Sequence, residues 1–202
     1  MYLGGLLSAS GDQGSEITRR LGEAGAAFEK LTAIWKHANL TRSRKLRIFE
    51  ACVQTKLLYS LDSVCLRQAE RSRVDAFQAK CLRRVFGIPH SYLSRVSNAE
   101  VRAVAGRPPL SQIILASQLQ LYGRVATLRE DSLVRKVAIE PGGIRPQCFA
   151  HARRQGRPRL QWSTNVYAHA FNAAGGAAEL SRLLTPAARA EWQRAVRSYC
   201  FN

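Results

Sequence analysis

Apolar residues recur at helical spacing along most of this chain. Ile17, Leu21, Ala24, Phe28, Leu31 and Trp35 follow at intervals of 4, 3, 4, 3 and 4. That pattern lines one stripe of an α-helix and is incompatible with a half-buried strand, whose side chains alternate every two residues. The spacing predicts a helix over 13–37 with Asp12 as N-cap, and Glu16, Arg19, Arg20, Glu23 and Lys30 on its opposite face. Thr41 is placed to cap a second helix that turns Leu46, Phe49, Val53 and Leu57 inward. A third runs over 68–86 with Val74, Phe77, Cys81 and Val85 inside, and Gly87 and Pro89 as stop signals. A short helix follows from Ser97 or Asn98 to Gly106, and a longer one spans 110–129 after Pro108 and Pro109. Gly123, in the middle of the longer one, costs about 1 kcal/mol relative to Ala, which points to close packing or a kink.

The two ends and one inner stretch read differently. Tyr2-Leu3-Gly4-Gly5-Leu6-Leu7 has no helical period and reads as a strand remnant within 1–10. From Pro141 to Trp162 there is no acidic residue, and Gly, Pro and Arg are dense, so 138–168 reads as an extended basic linker. Residues 169–202 are Ala-rich and helical, broken at Gly175-Gly176 and at Pro186, with Trp192, Val196 and Tyr199 on one face. The expected fold is all-α: a strand remnant, a three-helix bundle over 11–89, further helices packing on it over 90–137, the linker, and C-terminal helices.

Thirty-one basic residues, twenty-five of them Arg, face fourteen acidic ones for a net charge of +17, while 46% of residues are hydrophobic. Such a chain folds, and its surplus charge implies a polyanionic partner. Guanidinium forks favour phosphate, so nucleic acid is the first expectation. The alternative is an Arg-rich solvated surface, since a GC-rich gene inflates Arg, Ala and Gly together. No run approaches the roughly 18 apolar residues of a membrane span, and Met1–Ser10 has no basic n-region, so neither a membrane span nor a secretory leader is expected. Five scattered cysteines, Cys52, Cys65, Cys81, Cys148 and Cys200, read as reduced thiols of an intracellular protein, in nucleus or cytoplasm.

Several chemistries lack their residues. Two-metal polymerase or nuclease sites need clustered carboxylates to hold ions about 4 Å apart. The chain has no Asp-Asp pair, and Glu130-Asp131 sits at a helix end. No phosphate-binding Gly-x-x-x-x-Gly-Lys loop occurs. Cys148 and His151 have ligand-like spacing without a second close pair, so no metal or other cofactor is expected. Gly156-Arg157-Pro158-Arg159 has the form of a minor-groove hook, an extended backbone that slides Arg into a narrow groove. The same four residues also suit a general phosphate-contacting linker.

In order, Tyr2-Leu3-Gly4, "SASGDQGSEITRRLGEAGAAFEKLTAIWKHANL" (8–40), "TRSRKLRIFEACVQTKLLYSLDSV" (41–64), "RVDAFQAKCLRRVFGIP" (73–89), "LQLYGRVATLREDSL" (119–133) and "GRPRLQW" (156–162) resemble the region after the polymerase palm in LINE-type non-LTR retrotransposon reverse transcriptases. The similarity is collinear over most of 2–162, and "ARAEWQRAVRSY" (188–199) is also similar to the tails of such elements. The resemblance implies a thumb that cradles the template–primer duplex, followed by a basic connector. The fingers, the palm and its metal-binding Asp pair would lie upstream, and Arg124 stands where many relatives have His. These departures imply an element truncated upstream of the thumb, or a partial gene, that does not polymerise DNA alone.

An RNA-containing duplex is A-like and is gripped by shape, through phosphates and 2′-hydroxyls. The expected contacts are Arg19 and Arg20 on the first helix, Arg42, Arg44 and Lys45 at the start of the second, Arg83 and Arg84 at the end of the third, and Arg153, Arg154, Arg157 and Arg159 in the linker. Cations at a helix N-terminus oppose the macrodipole by a few tenths of a kcal/mol each, so Arg42, Arg44, Lys45 and Arg47 either attract an external anion or are simply solvated. Trp35 reads as core, whereas Trp162 reads equally as a base-stacking platform or as packing. The expected partners are an RNA–DNA hybrid or duplex, bound without sequence preference, and the palm and fingers of the parent polymerase. The alternatives are a stand-alone DNA-binding module built on the hook, and an inactive pseudogene product.

Overall fold

The computed structural model describes residues 14–36, 39–147 and 161–201. Among them the fold is all-α, with no strand and a single antiparallel bridge between Ile139 and Pro146. No described helix is long and apolar enough to cross a membrane. The strand expected over 1–10, the Asp12 cap and residues 148–160 lie outside the described residues. The chain divides into two compact units, 1–113 and 114–202.

In the first unit, α1 (Gly14–Lys30) buries Ile17, Ala24, Ala27 and Phe28. The expected single helix over 13–37 breaks at Leu31, and α2 (Thr32–Lys36) folds Trp35 back onto α1. The Trp35 ring stacks on Phe28 at 5.1 Å and its Nε1 donates to the Phe28 carbonyl at 3.0 Å, so Trp35 is core. Thr41 caps α3 (Arg42–Phe49), its Oγ1 accepting from the Arg44 N–H at 3.4 Å. A wide π turn, Glu50–Gln54, joins α3 to α4 (Thr55–Leu58). Phe49, Val53 and Leu57 are all buried along this run.

Helix α5 (Gln68–Phe86) has the limits its sequence signals predict. Its Glu70 carboxylate accepts from the Arg67 N–H at 2.6 Å, and Gly87 ends it with φ of 69°, a conformation that costs glycine nothing. Phe77 is only half-buried, and Gln78 takes the inner position instead. Gln78 donates to the Pro108 carbonyl at 2.9 Å and accepts from the Leu110 N–H at 3.2 Å. Asp75 accepts from both Ser111 N–H and Ser111 Oγ, at 2.9 and 2.7 Å. Two polar residues of α5 thus satisfy first-turn groups of α8 (Leu110–Ala126) that no residue of α8 itself can reach. Between them lie a four-residue turn, α6 (Ser91–Ser94), and α7 (Asn98–Ala105), capped by Ser97 as expected. The division between units falls within α8.

The second unit contains the rest of α8, α9 (Leu133–Ala138), α10 (Trp162–Ala174), α11 (Ala177–Leu183) and α12 (Arg189–Phe201). Its core joins Leu119, Tyr122, Ile139, Val166, Leu180, Trp192 and Val196. Arg135 is buried and donates to the carbonyls of Ala126 and, at 3.0 Å, Gly143; the Tyr122 hydroxyl donates to the Ile144 carbonyl. These bonds fold 139–147 into a bridged turn, and α10 begins at Trp162, so both ends of the expected 138–168 linker are structured. On α12 the buried face is Trp192, Val196 and Cys200, while Tyr199 is exposed. Burial pushes the thiols of Cys81 and Cys200 up, to about 12 and about 11, whereas Cys52 is exposed.

Gly123 is explained by close packing. A Cβ there would stand 2.3 Å from Trp192 Nε1, and that indole is fixed by donating to the Leu119 carbonyl at 3.2 Å. Gly22, by contrast, has no heavy atom within 4 Å of where its Cβ would stand. Gly123→Ala is therefore expected to destabilise by about 1–3 kcal/mol, and Gly22→Ala to stabilise by about 0.5–1 kcal/mol, read from urea unfolding midpoints.

Candidate nucleic-acid interface

The structure divides the expected cations into two groups. Arg19 and Arg20 belong to α1 itself. Glu16 is 2% exposed, and its carboxylate accepts from Arg20 Nε at 2.7 Å and from Arg19 Nε and Nη2 at 2.9 and 2.6 Å. Arg19 also pairs with Glu23, and the Arg20 guanidinium lies 4.6 Å from the Tyr59 ring centroid. Hydrogen bonding to Glu16 holds Arg19 above its ordinary pKa. Both arginines are thus engaged by carboxylates one turn away. The signal was in the sequence, because Glu three and four residues before Arg is the stabilising order on a helix.

Lys45, Arg83 and Arg84 are likewise engaged. Lys45 Nζ donates to the Trp35 carbonyl at 2.9 Å and closes the end of α2. Arg83, only 7% exposed, donates to the carbonyls of Pro89 and Val96 at 3.0 and 2.5 Å, to Ser94 Oγ at 3.4 Å and to Asn98 Oδ1 at 3.2 Å. It ties down the turn over 88–98, in which Arg95 adopts a left-handed φ of 57°. Arg84 pairs with Glu29, lies 5.0 Å from the Phe28 ring centroid, and reaches Thr32 Oγ1 at 3.3 Å. The Arg84 hydrogen bond holds the Glu29 carboxyl below its ordinary pKa. That pair's contribution is therefore complete above the ordinary carboxylate pKa and is lost as pH falls through the lowered one.

What remains for a partner is narrower. Arg42, Arg44 and Arg47 on α3 are exposed, and among the described residues none forms an ion pair with a carboxylate. Arg42 lies 5.6 Å from the Phe86 ring centroid, which sets it beside the C-terminal end of α5. That end opens into a groove of about 670 Å³ lined by Lys80, Arg83, Arg84, His90, Ser91 and Asn98, with no carboxylate among its lining residues. Tyr92, 78% exposed, belongs to the same turn. Sequence reasoning marked Arg47 only as one of the cations crowding the start of α3, and it did not select Lys80 or His90. Lys80 lies one turn before Arg84, a spacing that could have been read as a basic helix face.

Arg153, Arg154, Arg157 and Arg159 lie outside the described residues, as do Cys148 and His151. Trp162 is half-buried and packs on the core of the second unit, with its ring 6.3 Å from that of Tyr122. Among the described residues no group of three or more His, Cys, Asp or Glu could hold a metal ion. No family model, curated protein or solved structure matches the chain.

Burying a guanidinium and leaving its acceptors unpaired have different costs, which Arg83 and Arg84 separate. Arg83→Gln removes charge-assisted bonds to four acceptors and is expected to cost about 2–4 kcal/mol of stability. Arg84→Gln removes a half-exposed pair and should shift the urea midpoint much less. Equal shifts would show that the 88–98 turn does not depend on Arg83.

Proposed function

We propose that this chain is the thumb and connector region of a non-LTR retrotransposon reverse transcriptase, and that it binds a template–primer duplex along its phosphate backbone without catalysing polymerisation. The exposed arginines of α3, with no acid to neutralise them, carry this reading. The collinear sequence motifs and the helical bundle agree with it.

The mechanism follows from where these charges stand. Arg42 and Arg44 lie in the first turn of α3, where backbone N–H groups already favour an anion, and a phosphate there would relieve their opposition to the macrodipole. Arg47 lies one turn further on. A helix presenting Arg at successive turns follows a backbone without reading base edges, which suits an A-like hybrid whose major groove is too deep and narrow for side chains. Lys80 and His90 extend the same basic end of the unit. The connector arginines, Arg153, Arg154, Arg157 and Arg159, add phosphate contacts in this reading, and the sequence supplies no Asp-Asp pair for two-metal chemistry.

Fluorescence anisotropy with an RNA–DNA hybrid across a salt series tests the proposal. Engaging about six phosphates should weaken binding on the order of a thousandfold between 50 and 200 mM salt. The triple substitution of Arg42, Arg44 and Arg47 by Ala should lower the log–log salt slope by about 2–3. Binding that is flat in salt, or a slope unchanged in the triple variant, would overturn it. Arg157→Ala with Arg159→Ala should give a partial loss on all sequences; a loss confined to A·T-rich DNA would favour the hook module instead.

A further inference from the structure

We propose that the second unit carries a nucleotide-binding groove between α8 and α12, separate from the basic face of α3 and independent of the reverse-transcriptase reading. The groove has a volume of about 400 Å³, in the range that encloses a small ligand. Gln120 and Arg124, one turn apart on α8, line one wall; Arg189 and Gln193, one turn apart on α12, line the other. The Trp192 indole, lying against Gly123, and the buried side chains of Leu183 and Leu184 supply the apolar part of the lining. The indole cannot swing to fill the space, because its Nε1 is held by the Leu119 carbonyl. The missing Cβ of Gly123, which no helix preference explains, is what allows this wall to form.

Charge identifies the occupant. Arg124 and Arg189 are exposed, and among the described residues neither forms an ion pair with a carboxylate. The nearby acids are already committed: Arg182 takes both Glu179, at 2.6 Å, and Glu191, at 2.8 Å. Two guanidiniums on one groove repel each other until an anion lies between them, and their forked donors match a phosphate. The two glutamine amides can each offer a donor and an acceptor to a base edge, and the exposed Leu128 and Pro186, over the buried indole and leucines, give a flat ring an apolar surface. A phosphate joined to a polar-edged flat ring is a nucleotide, either free or as the terminal residue of a strand.

Isothermal titration of the full chain tests this with adenosine 5′-monophosphate, adenosine, inorganic phosphate and a 5′-phosphorylated single-stranded tetranucleotide. The monophosphate should bind at one site per chain, at least about tenfold tighter than adenosine or phosphate alone. Arg124→Gln and Arg189→Gln should each weaken it about tenfold or more, with unfolding midpoints unchanged because both side chains are exposed. Gln193→Ala should weaken the monophosphate while leaving inorganic phosphate binding as it was. The triple Ala variant of α3 should bind the monophosphate normally, so failure of either proposal is visible apart from the other. A tetranucleotide that matches the monophosphate marks a free-nucleotide site; one that exceeds it tenfold marks a strand end. The proposal is overturned if phosphate binds as tightly as the monophosphate, or if both arginine variants bind like the wild type.

Discussion

Carboxylates are the scarce component of this molecule. With 14 acids against 31 bases, only part of the arginines can be paired within a turn or across a packed helix, and the cations left over define what the surface can do. Glu16 holds Arg19 and Arg20, Glu29 holds Arg84, Glu50 holds Arg107, and Glu179 with Glu191 holds Arg182. The surface that results is not evenly basic. It has neutralised stretches, where acid and base alternate along a helix, and stretches such as α3 where four cations occur in six residues with no acid. Net charge alone could not have distinguished the two, because both kinds of arginine add to the same +17.

Two buried arginines solve the shortage differently. Arg83 donates to the carbonyls of Pro89 and Val96 in the segment after α5, and Arg135 to that of Ala126 at the end of α8 and that of Gly143 beyond it. A helix C-terminus presents unpaired carbonyls and the negative end of the macrodipole, so a guanidinium placed there satisfies several acceptors at once. Each also reaches the segment that follows: Arg83 the turn over 88–98, and Arg135 the bridged turn over 139–147. Chain direction after a helix is thereby set by a charged side chain rather than by apolar contact. Removal of such a residue leaves several partly buried acceptors unpaired, a heavier cost than loss of an exposed pair.

Much of the helical framework could be read from the sequence, because periodic apolar residues and terminal caps act locally. The limits of α5, the Thr41 and Ser97 caps and the core role of Trp35 needed only neighbours within a turn or two. What could not be read depends on partners far along the chain or on small changes of phase. The π turn over Glu50–Gln54 leaves the apolar spacing intact while shifting the backbone. Helix α10 buries only Val166 and Ala170, too few to show a period, and it follows a Gly/Pro/Arg stretch, so its first half read as linker. Arg20 looked exposed because an arginine on a helix usually is; its burial with Glu16 against Tyr59 appears only once α4 is in place.

The candidate sites show the same limit. Sequence located the cations at the start of α3 but not which of them were free, since Lys45 is diverted to a carbonyl ten residues back. It flagged Gly123 and Arg124 but had no means of bringing Arg189 opposite them. The two sets of unneutralised arginines also differ physically. Those of α3 stand on an exposed helix face, where a Debye length of about 10 Å at 0.1 M salt lets counterions compete for every contact. Arg124 and Arg189 are exposed too, but they line a groove sized for one small ligand, so fewer counterions are exchanged there. Salt should therefore weaken a ligand on either set, and more steeply on α3, where several phosphates of one backbone are engaged.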